Sequence, residues 1–313
     1  MPSRYRCRLW PRRARPRTLL LAALAAAILA SCGAAQITPP PTATPLGTPL
    51  PRASSPGDYL AVGDSITFGY VSHPSPAPGG ASAYANAANF VGYPAFVAQT
   101  VGLTATNAAC PGETSSSLID TSAADNGCHA FRAAFPLHVS YPGQSQLQFA
   151  ESFIKNHKLT TQLVTIMAGG NDGLLVVQKC GSLTNTTCIA PLVDSTVSTL
   201  QANLTKIVQA VRDAGFNETI VMVNYYAFNY QNNAETHLVQ ALNSAISNVA
   251  TANHLPLADV YTAFQRAASR TSGNTCATGL IAPGSSAFGS CDLHPSLDGQ
   301  HLIADTVAQA TVA

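Results

Sequence analysis

The chain has 313 residues, with 16 basic and 15 acidic side chains and a formal net charge of +1 at pH 7. That balance hides an asymmetry: seven arginines fall before residue 18 with no acid among them, leaving nine basic residues against fifteen acids, a net of −6, in the rest. No basic patch for nucleic acid is expected, and the length admits one sizeable domain with a well-buried core.

Arg4, Arg6, Arg8, Arg12, Arg13, Arg15 and Arg17 precede the apolar run from Leu19 to Ala30, the charge layout of a bacterial export signal. The run is too short to span a bilayer comfortably. It ends in Leu29-Ala30-Ser31-Cys32, which resembles the lipobox of bacterial lipoproteins, where the cysteine is acylated and becomes the first residue. Residues 1–32 are therefore expected to be a lipoprotein signal peptide, with Cys32 as lipidation site and sole membrane contact; the alternative is an ordinary signal peptide cut after Ala30 or nearby. Two or three acyl chains, at roughly 0.8 kcal/mol per buried methylene, make such an anchor stable. Arg12-Arg13 also has the form of a twin-arginine signal, a pair that an arginine-rich stretch produces by chance. Residues 33–56 contain Pro-Pro-Pro-Thr-Ala-Thr-Pro and bury almost nothing apolar, which predicts an extended tether. Residues 57–313 remain for a single exported domain, expected to be a monomer at the cell surface or secreted.

Within that domain Tyr59–Val62 predicts a short buried strand, Tyr93–Val101 a helix, Thr104–Ala108 a strand and Gln146–Asn156 a helix. The run Leu163–Ala168 is the plainest strand, bounded by Gly169-Gly170. A long helix is expected over Val193–Ala214, then a strand Thr219–Asn224, a helix Ala234–Ala252, a strand Leu257–Val260 and a C-terminal helix from Asp298. Tyr70–Asn89, Asp120–Gln144 and Gly173–Ala190 are expected to be loops that shape a pocket, the first two by lining or covering it. Strands alternating with helices imply an α/β fold, with a mainly parallel sheet covered on both faces and functional residues beyond the carboxyl ends of its strands.

Setting aside Cys7 and Cys32, six cysteines remain, an even number that suggests a disulfide framework in an exported chain. None form the close pairs of a zinc or redox site, so no metal and no cofactor is expected. Six cysteines allow 15 connectivities. They fall along the chain as three local pairs, which favours Cys110–Cys128, Cys180–Cys188 and Cys276–Cys291, each closing a loop and stabilising by a few kcal/mol at most.

Polar clusters sit where the predicted strands stop: Gly63-Asp64-Ser65-Ile66, Cys110-Pro111-Gly112-Glu113-Thr114 and Gly169-Gly170-Asn171-Asp172. A fourth, Asp292-Leu293-His294-Pro295, precedes the last helix. In this order the blocks are similar to the SGNH (GDSL) hydrolase family, over essentially all of residues 59–313. The resemblance implies a three-layer α/β/α sandwich around a flavodoxin-like five-stranded sheet. It also implies a serine esterase in which Ser65 attacks an ester carbonyl, His294 takes its proton, and an oxyanion hole is formed by the backbone N–H groups of Ser65 and Gly112 and the side-chain amide of Asn171.

The chemistry explains why these residue types are needed. A serine hydroxyl is a poor nucleophile until a neutral imidazole takes its proton. Donors fixed in advance around the developing oxyanion are each worth about 10²–10³ in rate, and Gly112 can bring its backbone close because it has no Cβ. Singly, each residue has a plainer reading: Ser65 as a helix cap, Asn171 as a turn residue, Gly112 as a loop glycine, His301 as a helix residue packed behind the site. The family pattern also puts an acid three residues before the histidine, where this chain has Cys291. Asp292, only two before, is the expected third member, with the Cys291 carbonyl as its rival for holding the imidazole; Asp64 is expected to support the turn.

No Gly-x-Ser-x-Gly, HExxH or P-loop pattern occurs, which removes the α/β-hydrolase, common metalloprotease and nucleotide-hydrolase readings. The substrate is expected to be a lipid or small acyl ester, with an acetylated polysaccharide as the alternative and an inactive surface binding protein as a different class. The paired cysteines and Gly92-Tyr93-Pro94 resemble secreted, disulfide-bearing actinobacterial lipases and esterases more than acetyl esterases.

Overall fold

The computed structural model describes residues 56–72, 81–286 and 288–312. The expected signal peptide, Cys32 and most of the tether lie outside the described residues, and the rest forms one compact unit. In chain order the main elements are β1 (Asp58–Gly63), α1 (Ser65–Phe68), α2 (Ala81–Tyr84), α3 (Tyr93–Val101), β2 (Thr104–Asn107), α4 (Cys128–Ala134), α5 (Gln146–Asn156), β3 (Thr161–Met167) and α6 (Gly170–Cys180). They continue with α7 (Thr186–Asp213), β4 (Thr219–Val223), α8 (Asn233–Ala252), β5 (Leu257–Ala258), α9 (Val260–Ala268), β6 (Ile281–Ser286), β7 (Gly289–Pro295) and α10 (Leu297–Ala310).

Five of the strands pair in parallel in the order β2-β1-β3-β4-β5, the flavodoxin-like sheet that was expected. Leu60 lies opposite Val164, and Val164 opposite Ile220. These residues are fully buried because helices cover both faces: α3, α9 and α10 on one, α5, α7 and α8 on the other. β1 has β2 on one side and β3 on the other, so the chain reverses its winding direction there. A crevice therefore opens beyond the carboxyl ends of β1 and β3. Ser65 follows the first and Asn171 the second.

The structure corrects two expectations and adds one element. Gly173–Ala190 is mostly helix rather than loop: α6 runs through it, and α7 begins at Thr186, ahead of Pro191. The Leu174–Val177 run lacks helical periodicity because it meets apolar surroundings on more than one side, Val176 and Val177 being buried in the core while Leu174 lines a cavity. The fifth strand ends at Ala258, because Asp259 caps α9 through the Thr262 N–H at 3.1 Å. Finally, β6 and β7 form an antiparallel hairpin outside the main sheet.

All three expected disulfides are present, Cys110–Cys128, Cys180–Cys188 and Cys276–Cys291. They fasten the turn after β2 to α4, the end of α6 to the start of α7, and the hairpin to the segment before it. Among the described residues no helix is long and apolar enough to cross a membrane.

Candidate active site

β1 stops at Gly63, where a side chain would collide with Thr67 Oγ1 and the Met167 carbonyl. Gln146, the first residue of α5, holds that peptide on both sides. Its Oε1 accepts from Gly63 N at 2.5 Å, and its Nε2 donates to Gly63 O at 3.0 Å and to Glu113 Oε2 at 3.1 Å. Asp64 caps α1 by accepting from Ile66 N at 2.9 Å, and its other oxygen accepts from Tyr225 Oη at 2.7 Å. The cap is thus Asp64 and not Ser65, which leaves the serine hydroxyl unencumbered at the head of a single helical turn. Burial pushes Asp64 up to about 6, against the downward pull of the Tyr225 and Ile66 bonds. Both its oxygens are occupied by fold contacts.

His294 and Asp292 lie two apart on β7, so strand alternation turns both side chains to one face. His294 Nε2 is 3.0 Å from Ser65 Oγ, and His294 Nδ1 is 2.8 Å from Asp292 Oδ1. No hydrogen bond joins the Cys291 carbonyl to the ring among the described residues; the carboxylate occupies that side. Asp292 Oδ1 also accepts from Leu293 N at 2.5 Å, and Oδ2 from Ser72 N at 3.0 Å. Burial alone would raise its pKa, but the hydrogen bonds from His294 and Ser72 outweigh burial and hold it well below the carboxylate range. With side chains only 13% and 5% exposed, the imidazole and carboxylate interact largely shielded from water. Tyr70 meets the imidazole edge-on, ring centres 4.8 Å apart.

Gly112 has φ +87°, and a Cβ there would sit 2.5 Å from the Asn126 carbonyl oxygen, so the turn requires glycine on both counts. Asn171, buried in the first turn of α6, donates from Nδ2 to Glu113 O at 2.9 Å, and its Oδ1 accepts from Asn126 Nδ2 at 2.8 Å. Asp172 holds the same turn through Ser115, from N at 2.8 Å and Oγ at 2.6 Å. Cys110 N donates to Gly63 O at 3.2 Å, which joins the turn to the end of β1. The Glu113 carboxyl lies beside Cys110 and Cys128, but the two sulfurs are bonded to each other, so this trio offers no thiolate to a metal.

Ser65, Asn171 and His294 line one cavity of about 90 Å³. Its other walls are mostly apolar, including Ile66, Leu174, Phe228, Leu238, Leu242 and Phe288. Residues 70–89 and 120–144 supply none of these walls among the described residues. Tyr70, Tyr84 and Phe131 pack on Phe68 and Phe90 in a small second core instead. Two acids also line the cavity, Asp64 beside Ser65 and Glu235 at the α8 end. For Glu235 the contacts are uneven. Its Oε1 accepts from Phe228 N and, at 3.2 Å, from Asn229 N, while Oε2 has no partner among the described residues; burial pushes it up to about 7. Gln146, Asn126, Tyr225 and Glu235 were not singled out in the sequence.

The model of the GDSL-like lipase/acylhydrolase family matches residues 61–302. The chain belongs to this family. The four motif blocks pointed to it, and this GDSL-like acylhydrolase is accordingly a hydrolase by family and fold. Among solved structures it is similar to phospholipase A1 from Streptomyces albidoflavus NA297, with a TM-score of 0.51 and 20% identity, covering 82% of this chain and 99% of that one. An acetylxylan esterase from Geobacillus stearothermophilus gives a TM-score of 0.48 at 17% identity, covering 82% of this chain and 94% of that one. An alpha/beta hydrolase enzyme from the metagenome of Lake Arreo, Spain, gives 0.48 at 16%, covering 82% and 95%. At these identities the likeness is one of fold. No curated protein matches the chain.

Proposed function

We propose that this GDSL-like acylhydrolase is an exported serine esterase or lipase that cleaves carboxylic esters through an acyl-enzyme. The observation that carries the reading is the imidazole of His294, bonded at Nε2 to Ser65 Oγ and at Nδ1 to Asp292, beside a largely apolar cavity. Neutral His294 accepts the Ser65 proton as Oγ attacks the ester carbon, giving a tetrahedral oxyanion and an imidazolium. Asp292, its pKa held low, stays ionised, fixes the Nδ1–H tautomer and stabilises that imidazolium. The backbone N–H groups of Ser65 and Gly112 and the amide of Asn171 are the assigned donors to the oxyanion. Collapse of the intermediate breaks the ester C–O bond, with the Nε2 proton passing to the departing alcohol. Water then repeats the cycle on the acyl-serine, releasing the acid and restoring Ser65.

The apolar cavity favours an aliphatic acyl group over acetyl alone, and so an acyl ester over an acetylated polysaccharide. A panel of p-nitrophenyl esters from acetate to palmitate, run beside acetylated xylan, tests this. Hydrolysis that peaks beyond acetate, and is lost in Ser65→Ala, is expected; release of acetate from xylan alone would overturn it.

Export is part of the same proposal. Three disulfides suit an oxidising compartment. Cys32 is assigned as the lipidated residue, with residues 33–56 as tether. Cys32→Ala should move the protein from the membrane fraction to the soluble one; a wild-type protein that is wholly soluble would refute the anchor.

A further inference from the structure

A polar group that no motif block contains, Asn126, joins the assigned oxyanion hole at two points. Asn126 touches both assigned donors that lie outside the nucleophile turn. Its Nδ2 donates to Asn171 Oδ1 at 2.8 Å, and its backbone N–H donates to Gly112 O at 2.8 Å. The two ends of a carboxamide have nearly the same shape, so only hydrogen-bond polarity decides which end faces the substrate. Asn171 Nδ2 spends one hydrogen on Glu113 O, leaving the second for an incoming oxyanion. A flipped Asn171 would put its Oδ1 there instead, acceptor against acceptor at Glu113 and against the oxyanion. Asn126 is itself oriented, because its Oδ1 accepts from Gln178 Nε2 at 2.9 Å, two turns along α6 from Asn171.

We infer that Asn126 is a positioning residue for the oxyanion hole: its side chain, together with the Glu113 carbonyl, holds the direction of the Asn171 amide while its backbone holds the Gly112 turn. The inference rests on the reading of Asn171 and Gly112 as oxyanion donors. The relay runs from Gln178 through Asn126 to Asn171 and ends at Glu113 O, so every amide in it has one permitted orientation. The segment carrying Asn126 is anchored. Asp125 accepts from Gly127 N at 3.1 Å and from His129 N at 2.6 Å, and Cys128 is bonded to Cys110, two residues before Gly112. The Cys110–Cys128 bridge therefore closes a loop whose two ends hold opposite sides of the same contact.

The test compares Asn126→Asp, Asn126→Ala and Asn171→Ala by kcat and KM on a p-nitrophenyl ester, with active sites counted by a phosphonate titrant and the thermal midpoint recorded. Asn126→Asp keeps the size, the backbone bond to Gly112 and the acceptor for Gln178, but turns an acceptor toward Asn171 Oδ1. It should lower kcat about a hundredfold, the scale of losing one oxyanion donor, with KM within threefold and the midpoint nearly unchanged. Asn126→Ala, which removes the bond without the repulsion, should lower kcat about tenfold. Asn126→Asp combined with Asn171→Ala should be no slower than Asn171→Ala alone, because the residue acts through Asn171. A purely structural role would lower the midpoint and the count of active sites while leaving kcat per site intact, and that result overturns the inference. If Asn171→Ala is slow and Asn126→Asp is not, the positioning role falls and the donor assignment stands. If Asn171→Ala is itself fully active, both fall.

Discussion

Asp292→Asn probes the candidate triad most sharply, because the carboxylate uses its two oxygens for different tasks. Oδ1 faces His294 Nδ1 and Leu293 N, and Oδ2 takes Ser72 N. Asparagine has one acceptor end. If that end stays on Ser72, the amide NH₂ points at Nδ1 and stabilises the tautomer protonated on Nε2, which cannot accept the Ser65 proton. If it stays on His294, the NH₂ opposes the Ser72 N–H and two donors collide in a half-buried site. The first arrangement is the one that lowers turnover by about 10⁴ in a Ser-His-Asp protease of unrelated fold. Since the second also loses the negative charge that stabilises the imidazolium, the expected loss in kcat is at least about a hundredfold either way. The assay is steady-state hydrolysis of a p-nitrophenyl ester at pH 7–8, with a thermal melt to show that the folded fraction is unchanged. A variant within tenfold of wild type would refute the reasoning and return the orienting role to a backbone carbonyl.

His294→Ala should abolish most activity without unfolding the protein, and activity within tenfold of wild type would remove His294 as the base. Asn171→Ala should lower kcat by about 10²–10³ with a small change in KM, because its amide acts on charge that develops only in the transition state; a change confined to KM would contradict this. Replacing Cys276 and Cys291 together by Ala should lower activity more than it lowers the melting temperature, since the bridge ends one residue from Asp292; full activity would separate that bridge from the site. Glu235 is raised from 4.5 to about 7 by burial, so the folded state binds its proton more tightly than the unfolded one does. The stability it contributes is complete below about pH 4.5 and is lost as pH rises through about 7, roughly 3 kcal/mol in all for a shift of this size. Glu235→Gln should remove that part of the slope in a urea-unfolding series from pH 4 to 8, and parallel curves for the two proteins would refute it.

Where the chain signals with turns and termini, the sequence was informative. Gly63-Asp64-Ser65, Gly112 and Gly169-Gly170-Asn171 each lie past the end of a strand of the sheet, and parallel topology gathers such points at one edge. The misread stretches are those in which local pattern and packing diverge. Pro191 resembles a helix start, yet it sits inside α7. Leu257 to Val260 alternates like a strand until Asp259 caps α9. The hairpin was missed because Pro283-Gly284-Ser285-Ser286 carries no alternation. With it was missed the period-two spacing that brings an acid two before the histidine within 2.8 Å of its Nδ1. Gln146, Asn126 and Glu235 gave no signal at all. Each is a polar residue in an ordinary helix or loop, and its importance comes from partners such as Gly63, 83 positions away from Gln146, that only folding supplies.

The hairpin of β6 and β7 divides the machinery unevenly between two bodies. Ser65 and the assigned oxyanion donors belong to the sheet, held by Gln146 and the lacing around Asn171, whereas Asp292 and His294 ride on a separate two-stranded ribbon. Between the reacting side chains the two bodies meet at the contact of His294 with Ser65. A small local opening of the ribbon, far short of unfolding, would then part His294 from Ser65 while the pairing of the main sheet persists. On heating, such a molecule is expected to stop turning over before it melts. The Cys276–Cys291 staple should set how wide that gap in temperature is, and removing it should widen the gap.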